Sequence, residues 1–129
     1  MKNPFVRQLR LALAVLLAGS AMTSPAVATQ KPEPRVIEVL AKRYAFEPSA
    51  IQVTQGEAIR LLVRSADGPH GIAIKQFKID KEVDRGPDPV RIDFVASDVG
   101  EFPILCTVIC GEGHLTMTGT LTVVAAKQE

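Results

Sequence analysis

No stretch of this 129-residue chain approaches the about 20 consecutive apolar residues that a membrane-spanning helix needs. Neither sign of charge dominates: 15 Lys+Arg stand against 14 Asp+Glu, a formal net charge of +1. That balance speaks against a nucleic-acid-binding surface and against a basic membrane patch. Tryptophan is absent and aromatics make up 5% of the residues, so each aromatic position matters. Tyr44 and Phe46 read first as core or edge packing, and second as stations on an electron path. Nothing pairs a nucleophile with a base or sets two catalytic carboxylates together, so the machinery of acid–base and nucleophilic catalysis is missing. The chain has only two cysteines and two histidines, and no internal repeat.

What is present begins with an export signal. Lys2, Arg7 and Arg10 form a basic opening, Leu11 to Ala18 is a short apolar run, and Ala26-Val27-Ala28 supplies a small-x-small cleavage pattern. These three parts predict a secretory signal peptide over residues 1–28, cleaved near Ala28, and hence a periplasmic or secreted protein without stable membrane insertion. No cysteine lies near the cleavage pattern and no Arg-Arg pair precedes the apolar run, which disfavours lipoprotein and twin-arginine export. Removing the signal leaves 12 basic against 14 acidic residues, a net −2. Residues 29–34, polar and proline-containing, read as a flexible lead-in, and residues 35–129 as one domain of ordinary size.

Within that domain the apolar residues recur with period two. Ile59, Leu61 and Val63 share one face while Arg60 and Arg64 fall on the other; Ile51 and Val53, Ile72 and Ile74, Ile92 and Phe94, and Leu121 and Val123 repeat the theme. Gly, Pro and Asp interrupt it at Pro48-Ser49, Gln55-Gly56-Glu57, Gly68-Pro69 and Asp98-Val99-Gly100. Seven or so short half-buried strands predict an all-β, antiparallel β-sandwich. The charged piece Lys75 to Pro89, ending in Gly86-Pro87-Asp88-Pro89, reads as a surface excursion. Its Lys75, Lys78, Lys81 and Arg85 alternate with Asp80, Glu82 and Asp84, as a solvated face would.

The mature chain holds two Cys, two His and one Met, and four of these five lie between Cys106 and Met117: Cys106, Cys110, His114 and Met117. The fifth, His70, follows Gly68-Pro69 between two predicted strands. Thiolate, imidazole and thioether together match copper, which cycles between a soft and a harder oxidation state. Cys110, His114, Met117 and His70 suffice for a mononuclear blue-copper site; adding Cys106 provides two thiolates that can bridge two copper ions. Other readings stay open at this point. Two cysteines in an exported chain are commonly a disulfide, although a disulfide explains neither the histidines nor the methionine. Structural zinc uses differently spaced ligand pairs and takes Met poorly. Glu112 reads as a solvated loop residue.

The segment Cys106 to Met117 resembles the CuA loop of the second subunit of haem-copper oxidases and of nitrous oxide reductase. That pattern, Cys-x-x-x-Cys-Gly-x-x-His-x-x-Met, is met at every spacing, and Ser65-Ala66-Asp67-Gly68-Pro69-His70 is similar to the segment that ends in the family's first histidine ligand. The resemblance implies a Greek-key, cupredoxin-like sandwich. It also implies Cys106 and Cys110 as bridges between two coppers, one each of His70 and His114 on either ion, and Met117 and the backbone carbonyl of Val108 as weaker ligands. The chain departs from the oxidase pattern at Val108, where oxidase subunits carry a glutamate that also serves a magnesium site. It also has neither the membrane hairpin nor the tryptophan of those subunits.

These features lead to the expectation of a non-catalytic, one-electron carrier exchanging electrons with a protein such as a c-type cytochrome or a terminal reductase. The alternative is a copper carrier that delivers metal to a copper-accepting protein.

Overall fold

The computed structural model describes residues 24–128. The basic opening and apolar run of the expected signal peptide lie outside the described residues. Residues 24–30 have no regular secondary structure, and Ala26, Val27 and Ala28 are exposed. Among the described residues, no helix is long and apolar enough to cross a membrane.

The compact unit Lys31–Glu129 contains nine strands. They are β1 (Arg35–Lys42), β2 (Ala45–Glu47), β3 (Ala50–Thr54), β4 (Ala58–Ser65), β5 (His70–Ile74), β6 (Ile79–Val83), β7 (Val90–Val95), β8 (Gly100–Leu105) and β9 (Thr118–Val124). Single 3₁₀ turns occupy Lys75–Phe77 and His114–Thr116. One sheet has the order β2-β1-β4-β7 and the other β3-β9-β8-β5-β6. Between them lie the side chains that period two assigned to the inside. Ile59, Leu61 and Val63 of β4 are fully buried, as are Ile72 and Ile74 of β5, with Val39, Phe46, Ile51, Val53, Ile104, Leu121 and Val123 around them. Each such aliphatic or aromatic side chain contributes about 1.5–3 kcal/mol on leaving water.

Two expectations need correction. The sandwich is not purely antiparallel: β1 pairs with β4 in parallel, and so does β3 with β9. The chain leaves the first sheet after β2 and lays β3 in the second, so when it returns as β4 it runs in the direction of β1. Burial alternates identically whichever way a neighbouring strand runs, so the pattern carried no sign of direction. The second correction concerns the excursion Lys75 to Pro89, which contains β6. Ile79 and Val83 are buried while Asp80, Lys81 and Glu82 between them face water on the outermost strand of the sheet. Charges on an edge strand discourage pairing with other chains, and here they also mask the strand signal.

The strand arrangement places three chain segments at one end of the second sheet. β8 stops at Leu105, immediately before Cys106, and β9 starts at Thr118, immediately after Met117. Leu105 pairs with Thr118, so the intervening loop is closed at its base, where the Cys106 amide donates to the Met117 carbonyl at 3.3 Å. On the other side of β8, Ala73 pairs antiparallel with Leu105. Continuing that register brings Gly71 and His70 alongside Thr107 and Val108.

Candidate metal centre

His70 opens β5 and is fully buried, whereas an isolated imidazole would ordinarily keep some contact with water. Its partners explain the burial. Nε2 lies 2.7 Å from Asp67 Oδ1. Asp67 also accepts a 2.8 Å hydrogen bond from the Arg43 backbone amide. That amide bond first, and the His70 ring second, hold the Asp67 carboxyl below the usual carboxylate range, so it is ionised near neutral pH and accepts. Nε2 therefore donates to Asp67, and Nδ1 is turned in the other direction. In that direction, 4.0 Å away, is Cys106 Sγ.

The remaining donors follow along the loop. Cys106 Sγ stands 3.7 Å from Cys110 Sγ, and both cysteines are free thiols. Cys106 Sγ is also 3.2 Å from the Val108 carbonyl oxygen. Cys110 Sγ faces His114 Nδ1 at 3.9 Å and Met117 Sδ at 3.9 Å. Cys106, Cys110 and Met117 are buried and His114 is half-buried. Burial pushes the Cys110 thiol up, and the neighbouring Cys106 adds to the effect. The Cys110 thiol in this apolar setting favours neutrality unless a cation compensates it.

His70, Cys106 and Cys110 bring three soft donor atoms within 4.8 Å of one another, a group that could hold a metal ion. The separations suit this: metal–nitrogen and metal–sulfur bonds of about 2.0–2.3 Å put two donors on opposite sides of one ion about 4 Å apart. The six positions singled out from the sequence, His70, Cys106, Val108, Cys110, His114 and Met117, are thus joined by successive distances of 3.2–4.0 Å about the two sulfurs.

Several neighbouring residues support these donors, and among them the contacts of Arg43 and Thr107 went unnoticed in the sequence. Gly71 lies so close to the loop that an added Cβ would stand 2.7 Å from the Val108 nitrogen and 2.8 Å from the Thr107 nitrogen. Thr107 donates from Oγ1 to Asp80 of β6 at 2.8 Å, tying the loop to the edge strand. Tyr44 lies over Gly111 and Gly113, each of which would meet its ring if given a side chain. Arg43 donates from Nε to the Cys110 carbonyl at 2.9 Å. Composition and spacing hold no signal for that contact, which spans 67 residues of sequence. Glu112 is exposed, as expected of a solvated loop residue.

The pattern of the cupredoxin-like domain family matches residues 9–123, nearly the whole described chain. This chain belongs to that family. Cytochrome c oxidase subunit 2 of Thermus thermophilus is 33% identical to this cupredoxin-like chain over 98 residues, covering 76% of the chain and 72% of the relative. The chain spans 58% of a second T. thermophilus sequence of the same name, again at 33% identity. The fold is shared with the periplasmic domain of subunit II of cytochrome oxidase of Bradyrhizobium japonicum, with a TM-score of 0.65 at 20% identity over 73% of this chain and 87% of that one. It is shared too with the subunit II domain captured in a mixed disulfide with a thioredoxin-like protein, with a TM-score of 0.60 at 18% identity over 77% and 88%. The cupredoxin-like chain is thus homologous to the soluble domain of oxidase subunit II, and copper is the metal that this kinship and the donor set together suggest.

Proposed function

We propose that the chain is an exported one-electron carrier, cleaved near Ala28, whose residues 35–129 hold a dinuclear copper centre of the CuA type. Cys106 and Cys110 are its bridging thiolates, His70 and His114 its imidazoles, and Met117 and the Val108 carbonyl its weak outer ligands. The observation that carries the reading is the division of donors about the sulfur pair. Each sulfur has its own imidazole nitrogen, His70 at 4.0 Å from Cys106 and His114 at 3.9 Å from Cys110, and its own weak donor, the Val108 carbonyl on one side and Met117 on the other. A single four-coordinate ion leaves Cys106 and the Val108 carbonyl idle; two ions use every donor.

A bound copper pair supplies a reversible one-electron couple whose charge is spread over two ions and two sulfurs. The protein's part is to keep the donors still. Strand ends fix His70 and Cys106, the loop base is hydrogen-bonded at Cys106 and Met117, and Asp67 holds the His70 ring in one tautomer. Burial keeps water from the sulfurs. His114 lies in the short 3₁₀ turn, half-buried, between the exposed Ile109 and Leu115 on the same loop. A redox partner such as a c-type cytochrome or a terminal reductase would approach there. The same accessibility favours a second reading, in which copper leaves through His114 to a copper-accepting protein.

Metal analysis combined with electron paramagnetic resonance tests the first reading. The expected result is two coppers per chain with one unpaired electron shared between them. One copper with a four-line hyperfine pattern refutes the dinuclear centre. Mixing the loaded protein with a metal-free copper acceptor separates the two roles: retention of copper with rapid electron exchange supports transfer, and loss of copper to the acceptor supports delivery.

A further inference from the structure

The turn between β1 and β2 consists of Arg43 and Tyr44, and it belongs to the sheet that carries none of the donor residues. Yet it reaches both donor-bearing segments. The Arg43 amide binds Asp67, and through Asp67 the His70 ring; the Arg43 side chain binds the Cys110 carbonyl. Its guanidinium lies against Gly68, with one nitrogen 3.5 Å from where a Cβ on that residue would stand. We infer that Arg43 is a positioning residue that ties the His70 segment and the Cys110 turn to one point of the opposite sheet, and so sets the geometry between the two imidazole sides of the centre.

The chemistry of the contact supports this. The Cys110 carbonyl precedes Gly111, whose φ of +140° swings the chain out of β geometry and leaves the loop without a strand partner. Within the loop the His114 and Thr116 amides donate to the Gly111 and Gly113 carbonyls at 3.1 Å, and the Met117 amide to the His114 carbonyl at 3.3 Å. These hold the turn to itself. Arg43 Nε anchors it to the body of the protein, and Tyr44 beside it covers Gly111 and Gly113. A charge-assisted hydrogen bond is stronger and more directional than a neutral one. Hydrogen bonds of this outer kind are commonly worth 10–100-fold in metal affinity. Arg43 is itself exposed, so replacing it leaves the core intact.

Two substitutions isolate the role. Arg43→Met keeps the length and the backbone amide but removes the donor to Cys110. Arg43→Gln puts an amide nitrogen at the same position along the side chain as Nε, keeping a donor without the charge. Two readouts are made on the purified protein: hydrogen exchange of the His114 and Thr116 amides without metal, and copper affinity with the absorption spectrum after loading. The metal readout rests on the copper reading above; the exchange readout does not. Arg43→Met is expected to speed exchange at both amides about tenfold, to weaken copper binding by a similar factor and to shift the absorption bands, with Arg43→Gln restoring most of each. Wild-type exchange in Arg43→Met overturns the inference. Losses in Arg43→Gln as large as those in Arg43→Met overturn it too, because charge rather than the hydrogen bond is then at work. Failure of the wild-type protein to bind copper refutes the copper reading, while the exchange rates still decide the role of Arg43.

Discussion

Substituting alanine for Gly71 probes the closest backbone approach in the site. The added Cβ would stand 2.7 Å from the Val108 nitrogen and 2.8 Å from the Thr107 nitrogen, where ordinary contact begins at 3.4 Å. The two segments must therefore part by about 0.7 Å, and neither is free to do so. Gly71 is paired to Glu82 in β5–β6, and Thr107 is bound to Asp80 on the same edge strand. Overpacking of this severity costs about 1–3 kcal/mol. With a urea m value of about 1.5 kcal/mol per M for a domain of this size, the unfolding midpoint should fall by about 0.7–2 M. Far-UV circular dichroism follows the transition. Gly86→Ala serves as the control, since a Cβ there meets nothing within 4 Å, and it should be neutral or stabilising by up to about 1 kcal/mol. Because the strain falls on Thr107 and Val108, the buried Cys106 and Cys110 thiols should also react faster with a thiol reagent in Gly71→Ala. A midpoint within about 0.3 M of wild type, on the scale of that m value, together with unchanged thiol reactivity refutes the argument.

Cys106→Ser is expected to retain one copper, whereas Cys110→Ser, which removes the sulfur facing Cys106, His114 and Met117 together, should bind far more weakly; equal loss from both variants speaks against this. Val108→Glu should leave the absorption spectrum of the copper-loaded protein nearly unchanged, because only the Val108 carbonyl faces Cys106, and a large spectral change refutes the assignment of that carbonyl. Asp93 is held far below the ordinary carboxylate range by hydrogen bonds from Arg60 and then Arg91. A carboxylate depressed by folding contributes stability above its unfolded pKa of about 4, and that contribution fades as pH falls further. Asp93→Asn should therefore lower stability at neutral pH and shrink the loss below about pH 4; parallel pH–stability curves for the two proteins contradict the pairing.

How much of this was legible beforehand depends on how local each signal is. Burial on alternate residues is a property of a strand and its two faces, so Ile59, Leu61 and Val63, or Ile72 and Ile74, declare themselves within a few positions. The direction of a neighbouring strand leaves no such trace, which is why the parallel β1–β4 and β3–β9 pairs had to come from the structure. Strand β6 escaped for a different reason: its inward residues, Ile79 and Val83, flank three charges that an edge strand tolerates and an interior one would not.

The donor cluster divides in the same way. Cys106, Cys110, His114 and Met117 are neighbours in sequence, and any closed loop of that length gathers them. That His70 joins them follows from β5 lying beside β8 in one register, a tertiary fact with no local cause. Which imidazole nitrogen faces the sulfurs was decided further out, by Asp67 ionised against the Arg43 amide. The sequence by itself determined which chemical groups the protein possesses and how they are spaced along the loop. Only the pairing of strands within one sheet and its contacts with the other decided where those groups point, because orientation is set by contacts between residues that the chain keeps far apart.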